Sequence, residues 1–146
     1  MNLQDPTKKM SKTDEAQLGV LYLTDTPEQI KNKIKRAVTD SGSEIKYNDS
    51  KPGISNLITL YQIATNKPIE QIEQEFAGRG YGEFKKAVGE ALVEFLEPFR
   101  NRYKELRADE GYLFEVLRKG AEQARIVAQR TLNKVYKKVG FVMLYR

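Results

Sequence analysis

The stretch "YGEFKKAVGEALVEFLEPFRNRYKEL", Tyr81 to Leu106, decides the fold class. Phe84, Val88, Leu92, Phe95, Phe99 and Leu106 recur at three- and four-residue steps, which gathers them into one stripe on a helix. Pro98 lacks an amide hydrogen and is expected to kink that helix. A helix with one apolar stripe must bury it, and the following segment offers a match. From about Asp109, Leu113, Leu117, Ala121, Ala124, Ala128, Leu132, Val135 and Val139 fall on one face. Gly120 and the three alanines would let a neighbouring helix come close. The pattern predicts the core of an antiparallel helical bundle.

Upstream, Thr26 suits an N-cap, Pro27 the first helical position, and Gln29 completes a capping box. Ile30, Ile34, Ala37 and Val38 share the apolar face, Lys33, Lys35 and Arg36 suit the negative pole, and Asp40, Ser41 and Gly42 should end the helix. A polar segment closes with Lys51-Pro52-Gly53, after which Ile54, Leu57, Ile58 and Tyr61 indicate a second helix ending at Asn66. Pro68 opens a short third through Ile69, Ile72 and Phe76. Gly78, Gly80 and Gly82 form a turn, with no lysine and hydroxyl at phosphate-loop spacing. Only "LGVLYL", residues 18–23, reads as a strand, and no other segment offers to pair its backbone. The expected class is mainly α: a helical bundle with a remnant strand and loop.

The 146 residues carry a formal charge of +5 with pI near 9.3, which favours polyanionic partners. There is no cysteine, which excludes disulfides, thiolate metal sites and cysteine nucleophiles. There is no histidine, which removes the usual general base and the commonest metal ligand. Chemistry must rest on lysine, arginine, carboxylates and hydroxyls, and no metal site is expected. No secretory signal or apolar span of membrane length is present, so no membrane partner and a cytoplasmic location are expected.

Two basic features stand out. After Glu122 the chain has no acidic residue, while Arg125, Arg130, Lys134, Lys137, Lys138 and Arg146 accumulate. Arg130, Lys134 and Lys137 lie at i, i+4 and i+7, nearly opposite the apolar stripe; with Lys138 they are candidate RNA-phosphate contacts, or simply a solvated helix face. The second is the loop "KMSKT", Lys9 to Thr13, a dozen residues into the chain.

That pentapeptide, preceded by "LQDPTK", resembles the second signature of class I aminoacyl-tRNA synthetases, whose usual form ends in serine. A chance match is expected in on the order of one chain in ten thousand of this length. "IKRAVTDS", "IKY", "KPGISNL", "GYGEFK" and "GAEQAR" follow in an order and at intervals that resemble the C-terminal half of bacterial-type tryptophanyl-tRNA synthetases. "KPGISNL" followed by "GYGEFK" favours the tryptophan enzymes over the tyrosine ones.

The resemblance implies a tryptophan-tRNA ligase, which uses ATP with magnesium to make tryptophanyl-adenylate and then charges tryptophan tRNA. It also implies a homodimer in the complete enzyme. The loop of Lys9, Met10, Ser11, Lys12 and Thr13 would close on the ATP phosphates, with Lys9 and Lys12 as the catalytic contributors. Residues 1–25 would be the signature loop and last strand of a Rossmann-type catalytic domain, and 26–146 the helical domain on the anticodon side of the tRNA. The family's first signature contains histidine, and none exists here. The chain is therefore expected to begin late in a longer enzyme and to make no adenylate without the N-terminal catalytic half. The alternatives are a free-standing helical tRNA-binding module and a truncated product with no function of its own.

Overall fold

The computed structural model describes residues 1–13 and 17–142. Arg146 of the basic run above lies outside them. Among the described residues, five α-helices follow a single 3-10 turn at Gln17–Gly19: α1 Pro27–Lys35, α2 Pro52–Thr65, α3 Ile69–Glu75, α4 Tyr81–Ala108 and α5 Glu110–Val139. Two compact units divide the chain, residues 1–101 and residues 102–146.

The capping box forms as expected. Gln29 N–H donates to Thr26 Oγ1 at 3.2 Å, and Thr26 N–H donates to the Gln29 side-chain oxygen at 2.8 Å. Ile30, Ile34 and Ala37 are buried, but α1 stops earlier than its charge pattern suggested. Val38 N–H donates to Leu3 C=O at 2.8 Å, leaving the helical ladder for the N-terminal segment, and the Val38 side chain is exposed. Lys33 also differs from expectation: it is buried against Asp25 at 2.6 Å instead of serving only the helix pole.

The core of the first unit is built by α1, α2, α3 and the first part of α4 around Leu3, Ile30, Ile34, Leu57, Ile58, Ile72, Phe84 and Val88. Tyr61, Phe76 and Phe84 meet edge to face, with centroids 4.8 to 5.8 Å apart. Gly53, the glycine of "KPGISNL", sits where a Cβ would approach Val38 C=O to 2.5 Å, so α2 lies directly against the backbone that leaves α1.

Residues 18–23 do not form the expected strand, and no strand occurs among the described residues. A strand exists only through a paired neighbour. Here the single bond of that kind runs from Leu3 N–H to Gly19 C=O at 2.9 Å; Val20 is buried, whereas Leu23 is exposed.

In α4 the buried set is Phe84, Val88, Gly89, Leu92, Leu96 and Arg100, whereas Phe95 and Phe99, expected in the stripe, are exposed. The buried set departs from the expected stripe after Leu92, and Pro98 lies inside the helix. Arg100 Nη2 donates to Val93 C=O at 2.7 Å, while its Nη1 is buried without a partner among the described residues. In the second unit, α5 has Asp109 as N-cap, accepting from Tyr112 N–H at 2.9 Å, and Gly140 as a left-handed C-cap at φ 75°. None of the α5 stripe is buried. A stripe specifies which face can be covered, not what covers it.

Candidate lysine loop and basic surfaces

The lysine loop rests on a braced turn. Asp5 accepts from the Thr7 amide at 3.2 Å and the Thr7 hydroxyl at 2.6 Å, and it pairs with Lys8 at 2.9 Å. The Thr7 hydroxyl, followed by the Lys8 ammonium, holds the Asp5 carboxyl below its ordinary pKa. Asn2 Oδ1 accepts from the amides of Gln4 and Asp5, and Asn2 N–H donates to Lys8 C=O at 2.8 Å. Beneath the turn, Leu3 is fully buried, and Gln4 Nε2 donates to Arg36 C=O at 2.9 Å, just past the end of α1.

On this base stand Lys9 to Thr13. Met10 packs on the core from its partly buried position, while Lys9, Lys12 and Thr13 are exposed. Ser11 and Thr13 hydroxyls are 3.0 Å apart. Lys9 and Lys12 form no ion pair among the described residues. The loop therefore presents two ammonium groups and a hydroxyl pair on a fixed footing. Such an array suits an oligophosphate: lysine is a compact point charge on a flexible stem, and small hydroxyls bond phosphate oxygens without bulk.

Arg130, Lys134, Lys137 and Lys138 are all exposed on α5, the last two in its final turn, where they also complement the helix dipole. The lysine loop belongs to the first unit and this face to the second, so each stands by itself.

A third cationic set was not recognised in the sequence. Lys31 and Lys35 of α1, with Gly82, Lys85, Lys86, Gly89 and Glu90 of α4, line a cleft of about 590 Å³. The i, i+4 spacing of Lys31 and Lys35 was the available signal, but only the packing of α1 on α4 shows which lysines they face. Among the described residues, no group of three or more histidine, cysteine, aspartate or glutamate side chains gathers in a metal-binding arrangement. No described helix is long and apolar enough to cross a membrane.

Comparison with known proteins places these features in a family. The family described as tRNA synthetases class I (W and Y) matches residues 1–97. The tryptophan–tRNA ligase of Clostridium tetani is 45% identical over 143 residues, which is 98% of this chain and 42% of that protein. The tryptophan–tRNA ligase of Enterococcus faecalis is 48% identical over 141 residues, again 42% of its length. The crystal structure of tryptophanyl-tRNA synthetase from Mycoplasma pneumoniae superposes with a TM-score of 0.71 at 33% identity, covering 98% of this chain and 45% of that one. The chain thus spans less than half the length of these relatives. The match over two thirds of its residues, lysine loop included, means that this chain belongs to the class I tRNA synthetases for tryptophan and tyrosine.

Proposed function

We propose that this chain provides the phosphate-binding loop and the tRNA-side helical region of a tryptophan–tRNA ligase. The observation that carries the reading is the Lys9–Thr13 loop, two exposed ammonium groups beside a Ser11–Thr13 hydroxyl pair on a braced turn, in a chain 45% identical to a tryptophan–tRNA ligase.

Tryptophan carboxylate attacks the α-phosphorus of ATP, and negative charge grows on the departing pyrophosphate. Lys9 and Lys12 meet that charge, and their worth is greatest in the transition state. Ser11 and Thr13 hold phosphate oxygens, and Met10 keeps the loop anchored while the lysines adjust. Magnesium enters as part of the nucleotide substrate, carried by its phosphates. Residues 1–25 act as the end of the catalytic domain and 26–146 as the helical domain on the anticodon side. The residues that hold tryptophan and adenine come from a segment outside these 146, and the complete enzyme works as a homodimer in the cytoplasm.

The test is tryptophan-dependent ATP–pyrophosphate exchange. The chain alone is expected to show none, and exchange by the chain alone would overturn the division of labour. Joined to the remaining part of a tryptophan ligase, it is expected to support exchange, with Lys9→Ala or Lys12→Ala lowering kcat by about 10²- to 10³-fold. Unchanged kcat in both variants would remove the loop from the chemistry.

A further inference from the structure

We propose that the cleft between α1 and α4 is a second phosphate-binding surface, taking at least two successive phosphates of an RNA backbone on Lys31, Lys35 and Lys86. The inference rests on the tRNA reading above and locates an RNA contact in the first compact unit, whereas the basic face of α5 belongs to the second.

Four ammonium groups line the cleft against one carboxylate, Glu90. Lys31, Lys35 and Lys86 form no ion pair among the described residues, although the exposed Glu28 carboxylate feels the Lys31 charge. An unneutralised cationic wall repels itself, and a polyanion relieves that cost while releasing its counterions.

The walls suit a backbone. Lys31 and Lys35 are one helical turn apart, with Cβ atoms about 5–6 Å from each other. The opposite wall carries Gly82 and Gly89 on either side of Lys86, so side chains do not block the approach from α4. At Gly89 the two helices come close: a Cβ there would lie 3.5 Å from Lys31 Cα, and the Lys31 stem crosses the glycine. Lys85 plays a different part. It is half-buried, donates to Ala37 C=O at 2.8 Å just beyond α1, and thereby braces α4 against α1. Burial pushes its ammonium below the ordinary lysine pKa.

The ligand class follows from what the lining contains. Lysines are point charges without the two-pronged geometry of arginine, and no aromatic ring is present for a base to stack upon. The cleft therefore contacts backbone and not bases, and its contribution is independent of RNA sequence.

The experiment is fluorescence anisotropy of tryptophan tRNA transcript binding to the full chain across a potassium chloride series. It compares wild type with the double variant Lys35→Glu/Lys86→Glu and with Arg130→Glu/Lys134→Glu, all checked for helicity by circular dichroism. Lys35 and Lys86 are exposed, so their substitution is expected to leave folding intact. The cleft variant is expected to lose about 10-fold or more in affinity and to reduce the slope of log K against log salt by about 1.5. A second tRNA of different anticodon is expected to show the same loss. Wild-type binding with an unchanged cleft variant overturns the cleft while leaving the tRNA reading in place. Absence of RNA binding by the wild-type chain overturns both. Loss of inorganic tripolyphosphate binding in the variant, with RNA binding unchanged, makes this a small-anion site and also overturns the proposal.

Discussion

At the scale of single residues, the buried Asp25–Lys33 pair is the most sensitive polar contact in the first unit. Both side chains are buried, Asp25 also accepts from Tyr22 N–H at 2.9 Å, and the Lys33 ammonium lies 4.8 Å from the Tyr22 ring centroid. Removing the cation strands a buried carboxylate. Lys33→Met is expected to destabilise the chain by about 3–5 kcal/mol in urea unfolding, and Asp25→Asn added to it should recover part of that loss. A loss below about 1 kcal/mol would mean that water reaches Asp25. Tyr81, from the motif "GYGEFK", has an equally concrete role. Its hydroxyl donates to Asp40 at 2.9 Å, tying the start of α4 to the segment after α1. Burial, with the Asp40 carboxylate beside it, pushes its pKa up to about 12. A phenol whose folded-state pKa is raised contributes stability below its unfolded value near 10, and that contribution is lost as pH climbs towards 12. The stability advantage of wild type over Tyr81→Phe should therefore shrink between about pH 10 and pH 12. Ultraviolet titration should find one of the eight tyrosines ionising last. At Asp40, burial raises the carboxyl pKa, but the Gly42 amide and the Tyr81 hydroxyl outweigh it, so the net shift is downward. That part of the stability is present above the ordinary carboxyl pKa and disappears as pH falls through the depressed value.

At the scale of elements, starts were more legible than ends. Thr26, Pro27 and Gln29 specify the opening of α1 because a capping box is local, and the box is present. The end of α1 is set by Leu3 C=O, more than thirty residues upstream, which no window of sequence reveals. The same limit applies to α4, where the apolar spacing points to Phe95 and Phe99 but tertiary packing buries Leu96 and Arg100. The lysine cleft was hidden for this reason too: each wall is visible in sequence, but their apposition is not. "KPGISNL" serves both as a resemblance and as a packing requirement. Gly53→Ala is expected to cost about 1–3 kcal/mol, since a Cβ there meets a carbonyl and not a flexible side chain. Gly82→Ala, where a Cβ meets nothing within 4 Å, should be neutral or slightly stabilising. Equal midpoints for the two variants in chemical denaturation would show that α2 can shift to accommodate the methyl group.

At the scale of the whole molecule, every buried apolar side chain among the described residues lies in residues 1–101. A chain of residues 1–101 is therefore expected to unfold cooperatively by calorimetry, and a gradual transition would show that the second unit completes its core. The second unit carries its stripe exposed, with Leu117, Leu132, Val135 and Val139 all open to solvent. Its charges are better ordered than its burial: Glu115 and Lys119 pair at 2.7 Å on one turn, and the acid-free end follows. Composition gave the sign of the net charge, and the structure distributes exposed cationic side chains over both units.

The bond from Leu3 N–H to Gly19 C=O has a consequence for the loop between them. It cinches Leu3 to Gly19, so the chain that runs from one to the other is a circuit in its connectivity, with a neck fastened to the core through Leu3 and Val38. Motion of Lys9 to Thr13 need not travel to the helices, because Leu3 is held at the neck. In deuterated buffer, the amides of Leu3 and Val38 should exchange at the pace of global opening, and those of Lys9 and Lys12 within the shortest labelling time. A phosphate held by the circuit would slow the second set alone, leaving the fastening as an internal clock against which closure is timed.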